Sequence, residues 1–459
     1  MEEIKILSST AILGYGFPEE SFNAGLKLKP DVIAADAGST DPGPYYLGKG
    51  KSFTDRNAVK RDLIYMIKAG IENNIPVIIG TAGGSGADEH LKWNVEIAEE
   101  IIKENKLNVK MAVIHSEIDK DFIKNKLKSG KISPLKPAPE LTEEEINMAT
   151  SIVAQMGVEP YIKALEDKAQ IIIAGRSYDP AVFAALAIKE GFDKGLAIHL
   201  GKILECGAIA AVPGSGSDCL FGILGKDYFK LKALSSQRKC TTLSVAAHTL
   251  YEKSNPLKLP GPGGTLDLSN TTFEQFDEET VIVKGSKFIP SEKYTLKLEG
   301  AKKVGYRTVS IAACKDPIMI EKIDDIIIGV KERVKNNFES FGLKEFFLDF
   351  KLYGKNGVMG MFKNIPEDTS SELCIIIEAV AKTQEESNTI CSSARSTLLH
   401  YGYEGRKSTA GNLAFPFSPS DFSAGEVYVF NIYHLMEADN PLECFKIEMK
   451  DYKKGDLSL

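Results

Sequence analysis

Three side chains of this sequence have the types needed to move a proton beside an anionic group. Asp36 and Arg176 each follow an apolar run, and Glu205 is flanked by apolar residues. A guanidinium can hold a carboxylate through two parallel hydrogen bonds, and a buried carboxyl group can act as a general acid or base. We therefore predict Asp36, Arg176 and Glu205 as catalytic residues. The alternatives are a turn-stabilising role for Asp36, a salt bridge between loops for Arg176 and a partly exposed helix acid for Glu205.

A glycine-rich segment, residues 80–88, follows the apolar run from Ile75 to Ile79. A buried strand that leads through glycines into a helix gathers backbone N–H groups where an anion can bind. It is neither a P-loop nor a dinucleotide fingerprint, because no Lys follows and the G-x-G-x-x-G spacing is missing. Alternatively, the glycines only allow close packing. The predicted substrate- or anion-binding residues are Thr81, Gly83, Gly84, Ser85, Gly86, Arg176 and Arg307.

Four predicted strands end in polar segments, at residues 36–44, 80–88, 115–117 and 175–179. In an open parallel sheet, ligands bind beyond the carboxyl ends of the strands. We therefore expect the four segments to meet at one crevice.

Several residues in these segments also have structural interpretations. His115 could be a base near neutral pH or a structural histidine, and Asp179, which precedes Pro180, has the pattern of a helix cap. Asp36, Asp41 and Asp88 could supply oxygen ligands to a divalent cation, but no His-rich set accompanies them. We therefore predict no metal site, and the cofactor is unknown because no nicotinamide or flavin fingerprint is present.

The elements that must position these residues alternate between short β-branched runs and amphipathic helices. This alternation predicts an α/β fold with an open, mostly parallel sheet and helices on both faces. The predicted strands are Ile4 to Leu7, Asp31 to Ala35, Pro76 to Ile79, Met111 to Ile114, Gln170 to Ala174 and Leu196 to Leu200. The predicted helices are Asn57 to Asn73, Ala87 to Lys106, Thr142 to about Met156, Ala181 to Glu190 and Lys202 to Ala211.

The pattern changes at a Pro- and Gly-rich cluster after Pro256. Beyond it, alternating strands and two long helices predict a smaller α+β domain. We expect residues 1–255 to form the α/β domain that carries the site and residues 256–459 to form the second domain. The long loop from His400 to Asp421 suggests that this second domain contributes a lid or an oligomer contact.

Composition narrows the class of protein. The chain has 459 residues and a net charge of −7, and it lacks the basic block that nucleic-acid binding requires. It has no apolar run of the roughly 20 residues that a membrane helix needs and no visible secretory signal. Its seven cysteines form no C-x-x-C pair. We expect a cytoplasmic protein with reduced thiols and no nucleic-acid or membrane partner, and a homo-oligomer on base rates.

Four spaced motifs occur in order along the chain: Gly175-Arg176-x-x-Asp179, Leu204-Glu205-Cys206-Gly207, Leu250-Tyr251-Glu252-x-x-Asn255-Pro256 and the loop from Gly411-Asn412 to Asp421. Together they resemble the acyclic terpene utilisation, or AtuA-like, family. The resemblance extends from the N-terminal strand to about Asn440. It implies a role in the breakdown of branched acids and acyl-CoA esters. The segment from Ser8 to Phe17 departs from the glycine and acid pattern of terpene-pathway members, which favours a smaller, more polar acid.

Together these features favour an enzyme, either a lyase of hydratase or dehydratase type or an isomerase, acting on a small carboxylic acid or its CoA ester. In this hypothesis the Gly80 loop and Arg176 hold anionic groups, while Glu205 or Asp36 moves the proton. The alternative is a non-catalytic subunit or adaptor that binds a partner protein in a catabolic complex.

Overall fold

The computed structural model describes residues 2–251, 255–340, 342–360, 370–408 and 410–453. Its helices are α1 Glu19–Lys27, α2 Pro44–Lys49, α3 Arg56–Asn73, α4 Asp88–Glu104, α5 Lys120–Lys128, α6 Glu143–Met148, α7 Glu159–Glu166, α8 Asp179–Lys189, α9 Lys194–Leu204, α10 Thr242–Leu250, α11 Pro317–Glu321, α12 Ile323–Glu339 and α13 Gln384–Leu399.

The strands of the first half are β1 Ile4–Ser8, β2 Val32–Asp36, β3 Val77–Gly80, β4 Val109–Ile114, β5 Ile132–Pro134, β6 Ser151–Ala154, β7 Ile171–Ala174, β8 Ala211–Val212, β9 Leu220–Leu224 and β10 Tyr228–Ala233. The later strands are β11 Lys239–Cys240, β12 Lys258–Gly261, β13 Gly264–Asp267, β14 Thr272–Gln275, β15 Thr280–Lys284, β16 Lys287–Pro290, β17 Tyr294–Cys314, β18 Phe347–Tyr353, β19 Leu373–Ala381, β20 Asp421–Ala438 and β21 Ile447–Tyr452.

A ten-stranded mixed sheet positions the predicted site residues. Its order is β14-β15-β10-β9-β1-β2-β3-β7-β4-β21. The five central strands, β1, β2, β3, β7 and β4, run parallel, and the pairs outside them are antiparallel. The expectation of a mostly parallel sheet was therefore too broad. It holds for the centre, where helix crossovers connect the strands, and fails where adjacent antiparallel strands extend the sheet.

Both faces of the central strands are buried, as expected for a covered parallel sheet. On β2, Val32 and Ala34 pack into one hydrophobic cluster, while Ile33 and Ala35 pack into another. The same alternation occurs on β3, where Ile78 faces the first cluster.

Three local predictions were wrong. The helix predicted from Lys202 to Ala211 is not formed, because α9 already ends at Leu204 and Ala211 begins β8. Leu196 to Leu200 lies within α9, not in a strand, since a short apolar run does not distinguish a strand from a buried helix. The helix predicted from Thr142 to Met156 ends at Met148, and β6 follows because Ile152 and its neighbours pair with β17. Thr142 does cap that helix, accepting a hydrogen bond from the Glu145 N–H.

Contacts divide the chain into two compact units, residues 1–302 with 430–459 and residues 303–429. The first contains the ten-stranded sheet. In the second, β19 pairs with β18 and with the later residues of β17, and α12 and α13 share its apolar core. These divisions differ from the expected boundary at residues 255 and 256. That boundary between independently folding domains stays a prediction.

No helix among the described residues is both long enough and apolar enough to cross a membrane.

Candidate functional site

The polar segments that follow β2, β3, β4 and β7 meet at one edge of the sheet. The Thr81 N–H donates to the carbonyl oxygen of Gly175 at 3.0 Å, and the Ser116 hydroxyl donates to that of Gly86 at 2.8 Å. The Arg176 N–H in turn donates to Ser116 Oγ at 2.6 Å. After β2, the Ala37 N–H donates to the Gly80 carbonyl oxygen at 2.9 Å. The structure therefore brings the four strand ends together.

Arg176 is the centre of a buried ion-pair network. Its Nε donates to Glu299 Oε2 at 2.7 Å and its Nη1 to Asp179 Oδ1 at 2.9 Å. Nη1 also donates to the Ser177 carbonyl oxygen at 2.7 Å. The side chains of Arg176 and Glu299 are each 4% exposed. These contacts match the alternative of an Arg that bridges loops, and a direct role in substrate binding stays a prediction.

Glu299 reaches this cluster through strand pairing. On β17, Glu299 lies opposite Val153 of β6, and the Gln155 N–H continues the pairing by donating to the Lys297 carbonyl oxygen at 2.9 Å. The Met156 N–H then donates to the Arg176 carbonyl oxygen at 3.1 Å. A strand distant in sequence therefore lies beside the end of β7.

The charges in this network shift the pKa values of its members. Burial raises the pKa of Glu299, but the positive charges of Arg176 and Lys297 outweigh it and lower the pKa to about 2. Burial likewise opposes the charge of Arg176, yet Glu299 and Asp179 hold its pKa above the ordinary range. Both shifts favour the charged forms of Arg176 and Glu299.

Asp36 has the opposite environment. Burial raises the pKa of its carboxyl group well above the usual value, and the negative charges of Asp179 and Glu205 add to this, while Arg176 and Thr81 oppose it. Its Oδ1 has no hydrogen-bond partner among the described residues. A side-chain carbon on Gly80 would lie 3.4 Å from Oδ1 and 3.2 Å from the Tyr161 hydroxyl. Asp36 is thus a buried, protonatable carboxyl group whose Oδ1 has no partner among the described residues.

Asp179 does not serve as the helix cap that the sequence predicts. Tyr178 is the N-cap of α8 and Asp179 is its first residue, and the Asp179 carboxylate accepts its hydrogen bond from Arg176. Burial raises the pKa of Asp179, and the charge of Arg176 opposes this.

Glu205 ends α9 close to this cluster. Its Oε1 accepts a 2.8 Å hydrogen bond from Lys202 Nζ, and its side chain is 10% exposed. Its charge acts on both Asp36 and Tyr178, raising the pKa of each. The structure therefore places Glu205 near Asp36, and its role in proton transfer stays a prediction.

The glycine loop is mainly a packing element in this structure. The N–H groups of Thr81, Ala82 and Gly84 donate to backbone carbonyls, so they are engaged within the protein. Gly86 has a φ of +75°, and a side-chain carbon there would lie 2.1 Å from the backbone nitrogen of Arg176. These contacts favour close packing as the reason for the glycines.

Two further members of the loop also lie inside the protein. Gly83, at a φ of +66°, packs against His90, and Ser85 is completely buried. Anion binding by this loop stays a prediction.

The remaining predicted residues have contacts or exposure of their own. Arg307 belongs to the second unit, where its Nε donates to Glu378 Oε1 at 2.5 Å. Asp41 is exposed, and Asp88 accepts a 2.7 Å hydrogen bond from His115. Among the described residues, no three His, Cys, Asp or Glu side chains are grouped as metal ligands. The trio of Asp36, Asp41 and Asp88 is therefore not assembled.

A groove of about 610 Å³ lies between α1 and α3, and none of its lining residues belongs to the Arg176 cluster. Its walls combine apolar and charged side chains without an unpartnered buried acid or base. We therefore place the candidate site at the cluster, where the perturbed carboxyl groups are found.

Three residues of the cluster were missed in the sequence. Tyr161, whose hydroxyl lies 2.5 Å from Ser177 Oγ, is on α7 and carried no local signal. Lys297 and Glu299 stand two apart on a strand and share a face. That spacing indicates that the two side chains are neighbours, but nothing in the local sequence indicates the contact of Glu299 with Arg176.

The chain was also compared with known proteins. A family model described as "acyclic terpene utilisation family protein AtuA" matches residues 55–214 and 231–418, which is most of the chain. The chain belongs to the AtuA family. The resemblance inferred from its motifs is confirmed. The match to the AtuA model includes Arg176, Glu205 and Glu299, whereas Asp36 precedes it. No curated protein and no solved structure matches.

Proposed function

We propose that this AtuA-family protein is an enzyme of carboxylic-acid or acyl-CoA catabolism. It would be a lyase of hydratase or dehydratase type, or an isomerase, and its substrate a small carboxylic acid or the CoA ester of one. The observation that carries the proposal is the buried Asp36 carboxyl group. Its Oδ1 has no hydrogen-bond partner among the described residues, and its pKa is raised. Adding or removing water beside a carbonyl, or moving a double bond, needs a group of this kind.

The surrounding charges support a division of roles. Asp36 is the general acid, because its environment favours the protonated form. Glu205, which accepts a hydrogen bond from Lys202, is the candidate base. Two carboxyl groups whose surroundings differ in this way can perform opposite steps of one reaction. Arg176 is a positioning residue that fixes Asp179 and Glu299 around them.

A deuterium-exchange experiment tests this proposal. Purified protein in D₂O is incubated with a panel of small carboxylic acids and their CoA esters, and proton NMR follows both exchange and conversion. We expect wild-type protein to exchange or convert at least one compound, and Asp36→Asn to slow this by about 100-fold or more. Glu205→Gln should also slow it.

Asp41→Asn is the matched control, because Asp41 lies five residues after Asp36, in the segment that follows β2, but is exposed. It should leave the rate unchanged. If wild-type protein leaves every compound unaltered, the enzyme proposal fails for that panel, as a non-catalytic subunit or adaptor would predict. If Asp36→Asn retains the wild-type rate, the assignment of Asp36 fails.

A binding screen can select the panel beforehand. A ligand present at 100 times its dissociation constant should stabilise the folded protein by about 2.7 kcal/mol, which thermal unfolding detects. We also propose a cytoplasmic location and a homo-oligomer, which fractionation and light scattering can test.

A further inference from the structure

Two ionisable side chains mark the solvent-facing side of the Arg176 cluster. Asp179 is 28% exposed and Lys297 is 24% exposed, whereas Arg176 and Glu299 are almost completely buried. Of these four side chains, Lys297 and Asp179 are therefore the ones that a ligand in solvent can contact. Only Lys297 of these two can attract an anion.

The contacts that Lys297 makes with the described residues do not use all its hydrogen-bonding capacity. Its Nζ lies 2.8 Å from Glu299 Oε1, and its ammonium lies 5.4 Å from the ring centre of Tyr433. A lysine ammonium has three donors. Glu299 also accepts hydrogen bonds from Arg176 Nε and from the Thr40 hydroxyl, at 2.7 and 2.9 Å. Glu299 therefore keeps partners when Lys297 turns a donor toward a ligand.

The contacts of Arg176 and Lys202 favour Lys297 as the cation that binds an incoming anion. Nε and Nη1 of Arg176 are engaged by Glu299, Asp179 and Ser177. The ammonium of Lys202 is bonded to Glu205 within the protein. Lys297, in contrast, is partly exposed, and its partner Glu299 has other hydrogen-bond donors.

We propose that Lys297 binds a carboxylate of the substrate, so that the substrate is a small free acid. This inference rests on the proposed function and narrows its substrate class, because a CoA thioester of a monocarboxylic acid has no free carboxylate to offer. A lysine suits this task, since its ammonium is a compact charge that accepts an incoming anion from several directions.

The test compares matched ligands on matched variants. The ligands are crotonate and fumarate, their primary amides, and crotonyl-CoA, and binding is measured by isothermal titration calorimetry. The variants are Lys297→Gln and Lys297→Arg. The control is Lys302→Gln, because Lys302 stands on the same strand, is 21% exposed and has its own partner Glu145 at 2.7 Å.

We expect wild-type protein to bind at least one acid about tenfold or more tightly than its amide, as a charge-assisted hydrogen bond allows. Lys297→Gln should remove this preference for the acid and leave the affinity for the amide unchanged. Lys297→Arg should restore most of it, and Lys302→Gln should behave as wild type. A purely structural role of Lys297 would not change the acid-to-amide ratio.

Three outcomes overturn the inference: Lys297→Gln keeps the preference for the acid, wild-type protein binds crotonyl-CoA more tightly than either acid, or neither acid binds. The deuterium experiment separates this from the proposed function. Exchange that depends on Asp36 but not on Lys297 leaves the enzyme proposal standing and removes the inference. Carboxylate binding that depends on Lys297, without any exchange or conversion, supports the role of Lys297 and removes the enzyme proposal.

Discussion

Arg176 donates a 2.7 Å hydrogen bond to Glu299 although 123 positions separate the two residues in the sequence. Both side chains are 4% exposed, and each supplies the opposite charge that the other needs in a buried position. Thr40, Asp179 and Lys297 complete their environment. The Arg176–Glu299 pair therefore forms the centre of the candidate site.

Breaking this pair should destabilise the protein more than breaking an exposed one. Glu299→Gln removes the charge that compensates Arg176, and we expect the free energy of unfolding to fall by about 3 kcal/mol. Urea denaturation at pH 7 measures the change. Glu145→Gln is the control, since its pair with Lys302 is partly exposed, and it should cost at most about 1 kcal/mol. Equal losses would show that burial does not control the strength of the Arg176 pair.

The Gly86 position should tolerate no side chain. Gly86 has a φ of +75°, and a side-chain carbon there would lie 2.1 Å from the backbone nitrogen of Arg176. We expect Gly86→Ala to lower the free energy of unfolding by about 3 kcal/mol from both effects together. Gly130 has a similar φ of +66° but open space around it, so Gly130→Ala should cost only about 1 kcal/mol. Denaturation of both variants separates backbone strain from crowding. A loss at Gly86 no greater than at Gly130 would mean that the close contact with Arg176 can relax.

His115 should make stability depend on pH near neutrality. Its hydrogen bond to Asp88 raises its pKa above 6.5, with a further contribution from Glu448, although burial and Lys446 act against it. The protonated form is therefore favoured in the folded state, and its stabilisation is fully present below pH 6.5 and lost as pH rises through the folded pKa. We expect an effect below about 1 kcal/mol, because the pair is partly exposed.

Thermal unfolding across pH 5 to 9 tests this contribution of His115. The wild-type curve should lose stability relative to His115→Gln as the pH rises, and Asp88→Asn should remove most of the difference. Parallel curves for wild type and His115→Gln would rule out a stabilising proton on His115.

Asp36 should make the stability of the fold depend on pH in a second, separate way. Because its folded-state pKa is raised, the folded protein binds a proton that the unfolded chain releases at about pH 3.8. Stability is therefore full below that pH and declines as the pH rises toward the folded pKa, by up to about 1.4 kcal/mol per pH unit. Asp36→Asn should abolish this decline and be at least as stable as wild type at pH 7. Asp41→Asn should keep it, and an unchanged slope in Asp36→Asn would refute the assignment.

The parts of the fold that were predictable are those with a local signal. The β-branched runs that became β1, β2, β3, β4 and β7 alternate with amphipathic helices, and this alternation implies parallel strands whose carboxyl ends meet. Arg176 and the glycine loop were placed at one edge for that reason. The apolar run from Leu196 to Leu200 was misread because a buried helix and a buried strand have the same composition over five residues.

The partners of the site residues could not be predicted, because they are brought together by long-range pairing. Glu299 reaches Arg176 only through the pairing of β17 with β6, and β6 lies where a longer helix was expected. Asp179 had the local pattern of a cap, but the buried guanidinium of Arg176 competes for its carboxylate. Such competition is decided by tertiary structure and leaves no trace in the local sequence.

The most direct test of the account is the pKa of the Asp36 carboxyl group. Protein labelled with ¹³C at aspartate carboxyl carbons is titrated by NMR, and the Asp36 resonance is assigned by its absence from Asp36→Asn. We predict that this resonance titrates clearly above the ordinary aspartate value of 3.8, as burial beside Asp179 and Glu205 requires. Titration at or below that value would show that Asp36 is ionised at neutral pH and is not a buried proton donor, and the proposed mechanism would fail.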